Sequence, residues 1–203
     1  MDFSLIALCL AIAYGLGSIP TGYLIAKRAG IDIREHGSGS TGATNVWRVV
    51  GKTAGITVFL VDFAKGIGAI LCLQWLIPQS EPWLVVAVAF TAIVGHSLPV
   101  WINWRGGKSV ATGLGILCFL HWQTALLALA VWLVIMAIWR TVSLASMLAA
   151  LSTPLFLHLF AAPTAYQLFA LLGSFYILWT HRTNIQRLLK AEELSFATPP
   201  EKQ

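Results

Sequence analysis

LHWQT, residues 120–124, interrupts the long apolar run from Ser109 to Trp139 with a histidine, a glutamine and a threonine. Its reading decides how many times the chain crosses a membrane. If 109–139 were one helix, Arg140, Arg182, Arg187 and Lys190 would lie on the opposite face from Lys27, Arg28, Arg34, Arg48, Lys52, Arg105 and Lys108. If the helix breaks at LHWQT, all of these and Lys202 fall on one side, which is the distribution that the lysine and arginine excess of cytoplasmic loops produces. A break is therefore expected, with short spans at 109–121 and 124–139 on either side of it.

Five further apolar segments, 3–26, 54–77, 83–102, 143–161 and 165–181, approach the roughly 17 to 25 residues that a ~30 Å hydrocarbon core demands of a helix. The expected architecture is an all-α integral membrane bundle of seven spans, amino terminus outside and carboxyl terminus cytoplasmic. The outer loops then carry no lysine or arginine, and only Lys65 lies inside a span. Composition agrees. Of 203 residues 58% are hydrophobic and 10% charged, with mean hydropathy +0.78, so too few charged side chains exist to cover a soluble domain. The first span has no basic stretch before it and meets Lys27 where a small-residue cleavage site would stand, so it is expected to be retained. Residues 1–190 are expected to form one polytopic domain and 191–203 a polar cytoplasmic tail ending in the disordered-looking FATPPEKQ.

Seven tryptophans, Trp75, Trp83, Trp101, Trp104, Trp122, Trp139 and Trp179, fall near span ends, where amphipathic rings prefer to lie. The net charge of +5 reads as topology and attraction to anionic lipid. Nucleic-acid binding is not expected, since no basic run interleaved with aromatics is present. Cys9, Cys72 and Cys118 show no CxxC spacing and read as core packing, so neither a metal nor a disulfide framework is expected.

With this topology three polar segments emerge on the cytoplasmic face: GSGSTGATNVWR (37–48), NWRGGKSVATG (103–113) and HRTNIQR (181–187). In the first, Gly37, Gly39 and Gly42 allow the backbone to turn N–H groups toward a ligand. Ser38, Ser40, Thr41, Thr44 and Asn45 offer side-chain donors, and Arg48 is a fixed cation. In the second, Gly106 and Gly107 open the backbone and Lys108 supplies an ammonium just before a helix N-terminus. In the third, His181 and Asn184 share one face of a helix end. Each alone also reads as a turn or a basic membrane-edge cap; together they suggest a site for one or two phosphates at the membrane surface. Asp62 and Lys65, at i, i+3 within a span, read either as a structural ion pair or as support behind the phosphate loops. His96, before Pro99, reads as packing or support facing the same cavity. His121 and His158 lie toward the outer side.

GSGSTGATNVWRVVGKTAG, VDFAKG, GHSLPVW, GGKSVATG and HRTNIQRL, in that order within seven spans, resemble the bacterial acyl-phosphate-dependent glycerol-3-phosphate acyltransferases, the PlsY family. Two positions depart from the family pattern, Ser40 where GSGN is usual and Ser109 where GGKG is usual. The resemblance implies transfer of a fatty acyl group from acyl phosphate to the 1-hydroxyl of sn-glycerol 3-phosphate, giving lysophosphatidic acid and phosphate, on the cytoplasmic face of the bacterial inner membrane. It implies no cofactor, and an acyl-phosphate-producing enzyme as the expected supplier. It carries over Ser38, Arg48, Lys108, His181 and Asn184 as substrate-binding and catalytic positions, with the Gly37–Gly42 backbone holding a phosphate. Glycerolipid acyltransferases with a histidine followed five positions later by aspartate are excluded, because those positions here are Thr41, Trp101, Leu126, Pro163 and Gln186. A transporter would be expected to gather polar groups at the bilayer midplane, and a noncatalytic scaffold to leave the glycine loops without a ligand. Both stay open, and assay with acyl phosphate and glycerol 3-phosphate separates them from the enzyme.

Overall fold

The computed structural model describes residues 2–196, and among these every regular element is helical. The chain runs through α1 (Phe3–Ser18), α2 (Thr21–Arg28), a short 3₁₀ turn (Ile33–Glu35), α3 (Ala43–Val49), α4 (Lys52–Leu76), α5 (Pro82–Ser97) and a second 3₁₀ turn (Val100–Ile102). It continues through α6 (Val110–Leu120), α7 (Trp122–Trp139), α8 (Val142–Leu159), α9 (Thr164–Thr180) and α10 (Arg182–Leu189). Five stretches are long and apolar enough to cross a membrane: Phe3–Arg28, Lys52–Leu76, Pro82–Ile102, Trp122–Trp139 and Val142–Leu159. This is a multi-pass membrane protein. The seven span-end tryptophans are all at least 49% exposed, which suits rings that meet lipid and headgroup instead of a protein core.

The chain breaks where LHWQT foretells. α6 ends at Leu120 and α7 starts at Trp122, with His121 in extended backbone (φ −160°) and its Nδ1 accepting from Thr124 N at 3.3 Å. That ring nitrogen satisfies one of the donors that a helix start leaves without an internal partner. The expected first span is not a single helix. Pro20 has no N–H and pushes the preceding residue away from helical backbone, so α1 stops at Ser18, Ile19 sits at ψ 114°, and α2 restarts at Thr21. The expected fourth span has become an 11-residue helix, about 16 Å long at 1.5 Å per residue.

The described residues form two compact units, one up to Phe119 and the other from Leu120. In the first, α5 packs on α1 and α4, and α2 and α3 pack on α4. Glycines let these helices touch: a Cβ at Gly17 would run into the Ala92 backbone, and one at Gly66 into that of Thr112. Where α2, the first 3₁₀ turn, α3 and α4 meet, buried Ala26, Ile33, Val46 and Val58 form a small apolar cluster that anchors the first polar loop. In the second unit α8 packs between α7 and α9, and α10 follows α9 directly. Residues 191–196, expected to belong to the polar tail, are held: Phe196 N donates to Arg140 O at 2.9 Å. The rest of the expected tail, 197–203 with Lys202, lies outside the described residues.

Candidate functional site

The first polar loop is built around the side chain of one asparagine. Asn45, on the first turn of α3 and 2% exposed, accepts from Ser38 N through Oδ1 at 2.9 Å. Its Nδ2 donates to His36 O and Ser40 O at 3.0 Å each, with Ile33 O at 3.3 Å. A carboxamide has two donors and one oxygen, so this group is used by the loop itself. The expectation that Asn45 offers a donor to a ligand gives way to a role as the loop's internal tie. Gly37 (φ +58°) and Gly39 (φ +69°) adopt the left-handed backbone that L side chains avoid, and a Cβ at Gly37 would also strike Asn45 Oδ1. Gly39 N donates to His36 O at 3.0 Å and Gly42 N to Ser40 Oγ at 3.2 Å. Three N–H groups expected to face a ligand, those of Ser38, Gly39 and Gly42, therefore close the turn instead, as buried backbone donors must find partners. Ser38, Ser40 and Thr44 are half-buried and Thr41 is buried, while Arg48 stands half-buried on the last turn of α3.

At the base of the loop Arg34 grips Asp32 with two prongs, Nε to Oδ1 at 2.9 Å and Nη2 to Oδ2 at 2.6 Å. That pairing holds the pKa of the half-buried Asp32 carboxyl down at about 2. The same guanidinium lies 4.8 Å from the centre of the Tyr23 ring, so it joins the loop to α2 by cation–π attraction.

The second loop docks on the end of α5. Helix C-termini leave carbonyls without internal partners. Here Gly107 N donates to His96 O at 3.2 Å and Gly106 N to Ser97 O at 3.0 Å. Gly106 and Gly107 thus serve close approach: a Cβ at either would meet His96, its carbonyl for Gly106 and its ring for Gly107. Their N–H groups, like those of Ser38, Gly39 and Gly42 in the first loop, bind protein. Ser109, one of the two departures from the family pattern, sits at φ +60°, which explains why glycine suits this position. The serine is kept there by its hydroxyl, which donates to Ile93 O at 2.8 Å and lies 2.7 Å from Ser97 Oγ. Lys108 is held between these two anchored neighbours.

Deeper in the first unit the expected Asp62–Lys65 pair forms at 2.7 Å with both side chains buried, and Lys65 Nζ also donates to Ile19 O at 2.5 Å. Removing one partner of such a pair costs roughly 3–5 kcal/mol, because the other charge is stranded. His96 is buried too, its Nδ1 3.8 Å from Asp62 Oδ1.

In the second unit His181 closes α9 and opens α10. Its Nδ1 lies 2.8 Å from Ile177 O. Asn184, buried, donates Nδ2 to Glu193 Oε1 at 2.5 Å. Glu193 also accepts from Ser143 Oγ at 2.8 Å and from Arg187 Nε, on Oε2, at 2.7 Å. Burial pushes its pKa up, but the hydrogen bonds from Arg187, Asn184 and Ser143 outweigh that and hold the carboxyl below the usual glutamate range. Composition hides this residue, since an acid in a polar tail looks the same whether solvated or bonded. The hint is the apolar Leu194 and Phe196 just after it.

A family model described as glycerol-3-phosphate acyltransferase matches residues 7–191. The chain is 50% identical over 198 residues to a glycerol-3-phosphate acyltransferase of Thermosynechococcus vestitus, covering 93% of this chain and 94% of that one. It is 48% identical over 192 residues to one of Gloeobacter violaceus, with coverage of 93% and 94%. Among solved structures it is similar to PlsY (YgiH), an integral membrane glycerol 3-phosphate acyltransferase. The glycerol 3-phosphate form gives a TM-score of 0.90 at 39% identity, covering 95% of this chain and 96% of that one. The lysophosphatidic acid form gives 0.86 at 38% identity, covering 94% of each.

Proposed function

Because the chain belongs to the glycerol-3-phosphate acyltransferase family, we propose that it transfers a fatty acyl group from acyl phosphate to the 1-hydroxyl of sn-glycerol 3-phosphate. The hydroxyl oxygen bonds to the acyl carbonyl carbon, the bond from that carbon to the phosphate oxygen breaks, and lysophosphatidic acid and phosphate leave. The proton goes to His181 or to the departing phosphate. What carries this reading is the nearly full-length likeness to PlsY in its glycerol 3-phosphate form. The donor is already activated, so the enzyme has mainly to bring hydroxyl to carbonyl and stabilise developing negative charge. With the loop N–H groups of Ser38, Gly39, Gly42, Gly106 and Gly107 engaged by protein, that task falls to the side chains of Ser38, Arg48 and Lys108, together with His181 and Asn184. Ser40, Thr41 and Thr44 are proposed to add contacts to substrate, and Asn45 and the glycines to shape the loops.

The reading also places the protein in the bacterial inner membrane with its polar loops cytoplasmic, amino terminus outside, and seven crossings. α6 alone is short for a crossing. The adjoining residues 106–109 would extend it at the membrane edge, packed on α5 through Gly106 N, Gly107 N and Ser109 Oγ. A reporter fused after Lys190 is expected to be cytoplasmic and one near Glu81 external; an external carboxyl end would overturn the seven-crossing arrangement.

The donor is tested directly with purified protein in detergent. Acyl phosphate and glycerol 3-phosphate are expected to yield phosphate and lysophosphatidic acid together, while acyl-CoA and acyl carrier protein yield neither. Comparable rates with acyl-CoA would refute the acyl-phosphate assignment.

A further inference from the structure

Two buried features of the first unit meet at His96. On one side is the Asp62–Lys65 pair, whose lysine also holds the Ile19 carbonyl that the Pro20 break turns out of α1. On the other is the loop that carries Lys108, bonded through Gly107 N to His96 O and packed so closely that a Cβ at Gly107 would lie against His96 Nε2. His96 is 8% exposed, and its Nδ1 faces Asp62 Oδ1 at 3.8 Å. We propose that His96 is a positioning residue for Lys108: the buried Asp62–Lys65 pair fixes the imidazole, and the imidazole sets where the Gly106–Gly107 backbone places the ammonium. The inference rests on the proposed role of Lys108 as a phosphate ligand.

The chemistry explains the residue types. A buried ion pair is weak evidence for stability, since apolar residues of similar volume usually do as well, so its value here lies in direction. Asp62 presents a fixed negative charge toward one edge of the imidazole, and Lys65 locks that carboxylate by bonding it and the α1 break at once. Gly107 must then lack a side chain, because the ring occupies the space where a Cβ would go. A supporting group of this kind acts through geometry, and a displacement of about 1 Å at a substrate-positioning cation costs up to roughly 10²-fold in rate.

The test is a double-mutant cycle on the full chain in detergent, with steady-state kinetics for glycerol 3-phosphate and acyl phosphate and thermal unfolding followed in parallel. Gly107→Ala is expected to lower kcat/KM by about ten- to a hundredfold with a raised KM for at least one substrate. His96→Ala is expected to lower it by a smaller factor in the same manner. Because the methyl and the ring compete for one space, the double variant His96→Ala/Gly107→Ala is expected to be no worse than Gly107→Ala alone. Asp62→Asn is expected to resemble His96→Ala where it folds. Losses that multiply in the double variant, or that appear as reduced active protein at unchanged KM with a lowered Tm, would overturn the positioning role and leave a purely structural one. Lys108→Ala separates the two levels. If it is impaired while His96→Ala and Gly107→Ala behave as wild type, this inference fails and the proposed function stands; if Lys108→Ala is itself wild type, the phosphate role of Lys108 fails.

Discussion

Replacing His181 with alanine is expected to lower kcat by roughly 10²- to 10⁴-fold, the range that a general base contributes, if its imidazole takes the proton of the glycerol 3-phosphate hydroxyl. The hydrogen bond of Nδ1 to Ile177 O at 2.8 Å supports that role. A carbonyl only accepts, so Nδ1 carries the hydrogen and Nε2 is the nitrogen with the lone pair in the neutral ring. The sign of the pH effect follows. Acid protonates Nε2 and removes the base, so the wild-type rate should fall on acidification, and His181→Asn, which cannot titrate, should lose that limb. If the departing phosphate takes the proton, the imidazole only orients substrate. In that case His181→Ala should cost less than about 10²-fold and His181→Asn should keep the shape of the wild-type profile. Full pH–rate profiles of wild type and both variants decide between them.

The apolar spans were readable because hydrocarbon thickness imposes a length and the positive-inside bias imposes a side; the break at His121 came from charge bookkeeping alone. Pro20 was visible too, but a proline in an apolar run does not by itself say whether the helix kinks or stops. What sequence could not resolve is the partner of each polar group. Gly37 and Gly107 announce that the backbone comes close to something, yet not that this something is Asn45 Oδ1 in one case and the His96 ring in the other. Asn45 looked like one more donor in a polar run, and only its four bonds within the loop reveal it as the tie. Ser109 stood out as a departure from glycine, and its hydroxyl bonds explain how a side chain is tolerated at positive φ. Glu193 was invisible because the groups that define it, Ser143 and Asn184, are separated from it by other helices or a turn of chain.

Arg48→Ala and Lys108→Ala are each expected to lower kcat/KM by ten- to a hundredfold or more. The argument is one of substitution. With the N–H groups of Ser38, Gly39, Gly42, Gly106 and Gly107 bonded within the protein, the proposed phosphate site draws chiefly on side chains, and these two cations stand on loops that the first unit anchors. Arg48 rises from the α3 turn tied down by Asn45, and Lys108 is flanked by Gly107 on His96 and Ser109 on Ile93. Such anchoring means that little ordering remains to be done on binding, so most of a charge-assisted bond is realised as affinity or rate, about 1.5–3 kcal/mol each. At 1.4 kcal/mol per factor of ten this gives the stated loss. The cations are not interchangeable. Arg48→Lys should recover only part of the activity, because an ammonium cannot reproduce the two-pronged guanidinium contact with a phosphate. Lys108→Arg should recover little, because the larger head must fit a loop whose neighbours leave no slack. Measured with both substrates, near wild-type kcat/KM in Arg48→Ala and Lys108→Ala protein that still folds would take both loops out of the site, and the assignment of phosphate binding to them would have to be withdrawn.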